Sequence, residues 1–243
     1  MKISIYKNNE SLSREAAQAV VEGMKTRKEP LICVASGDSP AGMYKELVVL
    51  SKNDPSLVAD WNYVGLDEWM GMNGAHEGSC QYHLNNQLFH PLQVKEEKRV
   101  FFDGTVKDPL TECQRIESFI KEKGGIDVAI LGLGLNGHIG MNEPGTSLQS
   151  RSHISQLDHL TQQTGQKYFT RSQELKEGLT LGIATLMEAK KIILIVNGKH
   201  KATILKQVVE GPVSEKVPGT ILQKHPNCVL FLDEAAASEL TQQ

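Results

Sequence analysis

Short β-branched apolar runs alternate with longer amphipathic segments along nearly all 243 residues. This predicts an α/β fold: a doubly wound, mostly parallel sheet with helices on both faces, Rossmann-like and three-layered. Two further observations agree. Four of the apolar runs are followed directly by polar or glycine-rich loops, as expected where strands end at a binding edge. No repeat, low-complexity tract or long linker interrupts the pattern, so residues 1–243 read as one domain with length enough for a large core.

The elements follow in order. Residues 3–6 are a strand, and 11–25 a helix with Ser11 as its N-cap and Glu15 in the first turns. Residues 31–35 form a buried strand, 41–50 a helix, 63–66 a strand, and 79–88 a helix. A short strand at 100–102 precedes a helix at 110–121 and a strand at 127–131. The apolar stretch 175–189 reads as a helix, 191–196 as a strand and 200–209 as a helix. A last strand at 228–232 leads to a terminal helix at 234–241.

Composition narrows the function classes. The net charge is −3, with no basic footprint for nucleic acid. No apolar run reaches the roughly 18 residues of a membrane span. The N-terminus, Met-Lys-Ile-Ser-Ile-Tyr, reads as a strand and not as a signal peptide. Cys33, Cys80, Cys113 and Cys228 are scattered without C-x-x-C spacing, which fits reduced thiols in the cytoplasm. Oligomeric state is left open.

The segment Leu131-Gly-Leu-Gly-Leu-Asn-Gly-His-Ile-Gly-Met-Asn-Glu-Pro-Gly145 carries the most information. Gly132, Gly134 and Gly137 match G-x-G-x-x-G after a strand, with Asp158 further on. A dinucleotide site also needs a helix to start at the third glycine. Gly140, Pro144 and Gly145 forbid one. The glycines are read instead as backbone that lets a ligand come close, beside one imidazole and one carboxylate.

Four loops should therefore meet at one sheet edge. Ser36-Gly37-Asp38-Ser39-Pro40 leads into a helix; it is either an anion seat of free N–H groups and hydroxyls or a plain cap with Ser39 as N-cap and Pro40 at N1. Lys201, expected at the same edge, favours phosphate, and the lack of G-x-x-x-x-G-K-[ST] argues against a nucleoside triphosphate. Asp67 ends a strand in apolar surroundings, as a general base or as a loop cap; Glu68 should face away from it. His138 and Glu143 share the glycine-rich loop, where the carboxylate can orient the imidazole for acid–base work. Asp67, His138 and Glu143 are also possible metal ligands, but no dense ligand spacing supports a metal, and none is expected. The other histidines read as structural or solvated, with His76, His153, His159, His200 and His225 in polar surroundings.

At these loops the chain resembles the glucosamine-6-phosphate deaminase (isomerase) family. The matching motifs are Leu66-Asp-Glu-Trp69, Gly134-Leu-Asn-Gly-His-Ile-Gly-Met-Asn-Glu-Pro144, Ser147-Leu-Gln-Ser-Arg151, Ser36-Gly-Asp-Ser-Pro40 and Gly198-Lys-His-Lys-Ala202. Related 6-phosphogluconolactonases share the Gly-His but usually not the Asn-Glu-Pro. Gly78-Ser-Cys80 and His153-Ile-Ser-Gln-Leu-Asp158 look closest to the galactosamine-6-phosphate isomerase branch.

The resemblance implies conversion of glucosamine 6-phosphate, or galactosamine 6-phosphate, and water to a ketose 6-phosphate and ammonia, with no cofactor. It implies that Asp67 moves the proton between C2 and C1, that His138 is the acid–base in ring opening, and that Glu143 orients it. Ser36, Gly37, Asp38, Ser39 and Lys201 would hold the phosphate. There are three departures from the family pattern. Asn136 stands where many members have Asp, so it can orient the imidazole but not support its charge. Lys167 aligns with a phosphate-binding Arg and lacks its bidentate fork. His153 and Ser155 replace the basic residues of an allosteric anion site. The alternatives are a sugar-phosphate lactonase using the same phosphate seat and His138, and a non-catalytic sugar-phosphate sensor.

Overall fold

Side chains alternate between two faces along a strand, so an apolar run without polar interruption must be covered on both sides. The computed structural model, which describes residues 1–241, meets that requirement. In chain order the elements are β1 (Lys2–Tyr6), α1 (Asn9–Met24), β2 (Leu31–Val34), α2 (Asp38–Asn53), β3 (Asn62–Gly65), β4 (Asp67–Trp69) and α3 (Cys80–Leu84). They continue as β5 (Arg99–Val100), α4 (Pro109–Glu122), β6 (Val128–Gly132), β7 (His153–Gln156), α5 (His159–Gly165), β8 (Glu177–Thr180) and α6 (Ile183–Met187). The last are β9 (Lys191–Val196), α7 (Ala202–Glu210) and β10 (Cys228–Asp233).

Seven strands form one sheet in the order β1-β10-β9-β6-β2-β3-β5, and every neighbouring pair is parallel. Ile32, Val34, Val128 and Ile130 face α1 and α2, packing on Leu12, Val20, Met43 and Leu47. Leu31, Cys33, Ala129 and Leu131 face the other way, toward Ile116 of α4, Leu186 of α6 and Leu205 of α7. This is the doubly wound, three-layer arrangement that the alternation predicts.

Several expected boundaries move. The first helix is capped by Asn8, not Ser11; Ser11 instead completes a capping box, its backbone N–H donating to Asn8 Oδ1 at 3.0 Å. The stretch 175–189 is not one helix. Its first part is β8, which pairs antiparallel with β4 and β7 in a separate three-stranded sheet, and only Ile183–Met187 is helical. A side chain at Gly182 would lie 2.2 Å from the carbonyl oxygens of Ser150 and Arg151, so this glycine lets β8 and α6 pass beneath the preceding loop. The terminal helix shrinks to a 3-10 turn at Ala236–Glu239. The strand at 100–102 reduces to Arg99–Val100, and the helix from 79 continues as a π-helical turn, Asn85–Phe89.

The lower edge of the sheet is pinned by Asp127, just before β6. Its Oδ2 accepts the Leu31 N–H at 2.8 Å, and its carboxylate pairs with Arg27 and Lys190, each at 2.8 Å. Burial pushes this carboxyl up, but the hydrogen bonds from Arg27, Lys190 and Leu31 outweigh it and hold it below the usual carboxylate range. Asp127→Ala strands the buried Leu31 N–H and frees two cations. It should lower stability by about 2–4 kcal/mol, seen as a lower urea midpoint at unchanged m-value.

Candidate functional site

β2 and β6 are neighbours whose chains leave the sheet in opposite directions, β2 toward β3 and β6 toward β9. Such a switch point opens a crevice beyond the strand C-termini. A cavity of about 500 Å³ lies there, lined by Ser36, Gly37, Asp38, Ser39, Asp67, His138, Lys167 and Lys201. Asn136 and Glu143 stand behind His138, with Glu143 buried.

The loop after β2 enters α2 through Gly37, whose φ of 103° a side chain would strain. Gly37, not Ser39, is the N-cap, no side chain caps the helix, and Pro40 falls in the first turn instead of at N1. The first backbone N–H groups of this 16-residue helix are thus left for an anion. Lys201 approaches from the loop after β9 and donates to Leu133 O at 2.6 Å. Burial lowers its pKa to about 8, with the Lys167 charge adding to the effect. Lys167, carried by the turn after α5, pairs with Asp38 at 2.5 Å.

Asp67 opens β4, in the small sheet, instead of closing β3. Burial raises its carboxyl to about 6, against smaller opposing effects from Cys80 and the His138 charge. Glu68 faces away, as strand alternation requires. It is fully buried and accepts three backbone N–H groups, from Trp69, Cys80 and Gln81, each at 2.9 Å. These bonds fasten the start of α3 to β4 and so fix the direction in which Asp67 points.

The glycine-rich loop folds back on itself, Gly134 N–H to His138 O at 2.9 Å, and no helix begins at Gly137. The dinucleotide geometry is absent. Gly134 makes room for protein, not for a sugar: a side chain there would stand 2.4 Å from the His138 ring. His138 Nδ1 lies 3.3 Å from Glu143 Oε2 and 3.1 Å from Thr161 Oγ1. Asn136 Nδ2 donates to Glu143 Oε2 at 2.7 Å, and Asn136 Oδ1 accepts the His138 backbone N–H at 3.1 Å. Burial pushes the Glu143 carboxyl up, but His138, Thr161 and Asn136 outweigh it and hold it low. Among the described residues no three His, Cys, Asp or Glu side chains converge as metal ligands.

The cavity also contains residues that sequence reasoning missed: Cys80, Thr161, Tyr168 and His200. The segment that holds Thr161 and Tyr168 follows no strand of the main sheet; it reaches the cavity because β7 and β8, which flank it, pair with β4. His225, expected in polar surroundings, is instead buried, its Nε2 2.8 Å from Ala189 O.

A model of the family described as glucosamine-6-phosphate isomerases/6-phosphogluconolactonase matches residues 7–231. Glucosamine-6-phosphate deaminase of Thermoanaerobacter pseudethanolicus is 36% identical over 242 residues, covering 98% of this chain and 94% of that protein. The deaminase of Bacillus velezensis is 34% identical over 238 residues, covering 98% and 99%. Among solved structures, a monomeric glucosamine-6-phosphate deaminase superposes with a TM-score of 0.94 at 32% identity, covering 98% of this chain and all of its own. The 6-phosphogluconolactonase of Trypanosoma brucei reaches 0.76 at 19% identity, covering 99% of this chain and 98% of its own, a likeness of fold.

An anion at the start of α2 should bind less tightly as Lys201 loses its proton. Calorimetric affinity for inorganic phosphate should fall as pH rises through about 8. Lys201→Met should cost roughly tenfold or more at neutral pH.

Proposed function

Because the chain belongs to the glucosamine-6-phosphate isomerase/6-phosphogluconolactonase family, we propose that it converts an amino-sugar 6-phosphate, gluco or galacto, and water to the ketose 6-phosphate and ammonia. The observation that carries this reading is the pairing of Asp67 with His138 in one cavity beside the uncapped start of α2.

The phosphate seats on the loop Ser36-Gly37-Asp38-Ser39, with Lys201 and Lys167 supplying positive charge. His138 has Nδ1 turned to Glu143 and Thr161, which leaves Nε2 to handle the proton on the sugar oxygens during ring opening. Asp67 then takes the carbon-bound proton from C2 of the open chain and returns it to C1. The aldehyde O1 takes up a proton in the same conversion, so C2 becomes an iminium carbon; water adds there and gives up a proton, and the C2–N bond of the carbinolamine breaks to release ammonia. A carboxylate raised to about 6 is both ionised near neutrality and basic enough for this transfer.

A lactonase would use the same phosphate seat and His138 but has no use for a base aimed at a carbon-bound proton, so Asp67 favours the deaminase reading. All the cavity-lining elements fall within residues 1–243, which we take as one functional domain. The four cysteines are buried and unpaired, in keeping with a reducing cytoplasm. No helix among the described residues is long and apolar enough to cross a membrane.

Ammonia release should be detected with glucosamine 6-phosphate or galactosamine 6-phosphate, and a parallel rate assay ranks the two. Asp67→Asn should lower kcat by roughly 10²–10⁴-fold while inorganic phosphate still binds. Full activity in both Asp67→Asn and His138→Gln would refute the site assignment; lactone hydrolysis without ammonia release would favour the lactonase.

The pH profile follows from two groups. Asp67 acts as a base only when ionised, so activity falls as pH drops through about 6. Lys201 binds phosphate best when protonated, so kcat/KM falls as pH rises through about 8. The expected kcat/KM profile is a bell between these limbs. Saturating substrate should move the alkaline limb upward, because bound phosphate stabilises the Lys201 charge.

A further inference from the structure

We propose that the Tyr168 hydroxyl is a direct donor to the substrate phosphate, over the cap of α2. The inference rests on the sugar-phosphate reading above and adds a ligand to it. Tyr168 lines the cavity with Gly37, Asp38, Ser39 and Lys201. Its hydroxyl stands directly over the cap of α2: a side-chain carbon at Gly37 would lie 3.0 Å from Tyr168 Oη. An anion resting on the first amides of α2 therefore comes within reach of that hydroxyl.

The ring is held in place from two directions. The His83 ring, on α3, packs against it at 5.1 Å between centroids with a 64° interplanar angle. Lys167 Nζ lies 4.9 Å from the ring centroid. That same ammonium pairs with Asp38 at 2.5 Å. Asp38 brings a negative charge to the mouth of an anion site, and Lys167 offsets it there. With Lys167 so engaged, Tyr168 supplies the donor on that flank. Burial pushes the phenol upward, so it stays protonated and able to donate across the working pH range.

Tyr168→Phe removes only the hydroxyl and keeps the ring contacts to His83 and Lys167. Calorimetric Kd for inorganic phosphate should rise about tenfold, as for loss of one hydrogen bond to a charged group. KM for the amino-sugar phosphate should rise in step, with kcat changed far less and the thermal midpoint held. An unchanged phosphate Kd in well-folded Tyr168→Phe overturns the proposal, as does an equal loss in kcat with KM unmoved. Phosphate binding is measured without turnover. Absence of ammonia release would therefore count against the deaminase reading alone, while the phosphate result still decides the role of Tyr168.

Discussion

Strands β2 and β6 lie side by side and hand the chain to opposite halves of the sheet. No crossover covers the crevice between their upper ends, so the loops that leave them, 35–39 and 133–145, are obliged to wall a cavity. The strands owe their register in part to Asp127 below, which bonds the first residue of β2 and closes the lower edge. The position of His138, the exposure of the α2 amides and the approach of Lys201 all follow from this pairing. The second sheet then contributes what the first cannot: β4 brings Asp67 in from the side, and the β7–β8 pair carries α5 and Tyr168 over the mouth.

Asp127 and Asp67 show how one residue type is set to opposite ends. Both flank strands and both are desolvated. Asp127 has two cations and a backbone N–H, so the charged form wins despite burial. Asp67 has only weak opposition to burial, and its carboxyl rises to about 6. Partners are gathered around Asp127 and withheld from Asp67. Glu68 marks the limit of the comparison. It has three backbone donors and no cation, and burial still carries it to about 7. Its three backbone donors oppose burial without cancelling it, and the neighbouring Asp67 charge adds to the rise.

What was legible in the sequence is what is encoded locally. The runs at β2, β6 and β9 are apolar throughout because both faces are covered, and the loops after them are polar because they end at water. The three-stranded sheet was not legible. Its strands are three or four residues long, and each is stabilised by partners far away in the chain, Asp67 opposite Thr180 and His153 opposite the same residue. Without that sheet, 175–189 looks like a helix, and Thr161 and Tyr168 look like surface residues. The glycines misled differently: composition says that a side chain is excluded, but not by what. At Gly134 the excluding group is the His138 imidazole.

Asn136 acts on the imidazole at one remove. The sequence predicts that a neutral amide beside Gly137-His138 can orient the ring without supporting its charge. It acts on one of the ring's two partners, donating to Glu143 Oε2, and it also accepts the His138 backbone N–H. Its amide nitrogen is 2.7 Å from a carboxylate oxygen. An ionised aspartate in the same rotamer would set two negative charges at that distance, and one would have to take up a proton. With asparagine the loop holds a single carboxylate behind His138, and the donors Asn136 and Thr161 help keep it ionised. Glu143 alone supplies the negative charge that a protonated His138 meets at Nδ1. Asn136 is therefore a brace for Glu143, and its effect on the imidazole runs through that carboxylate.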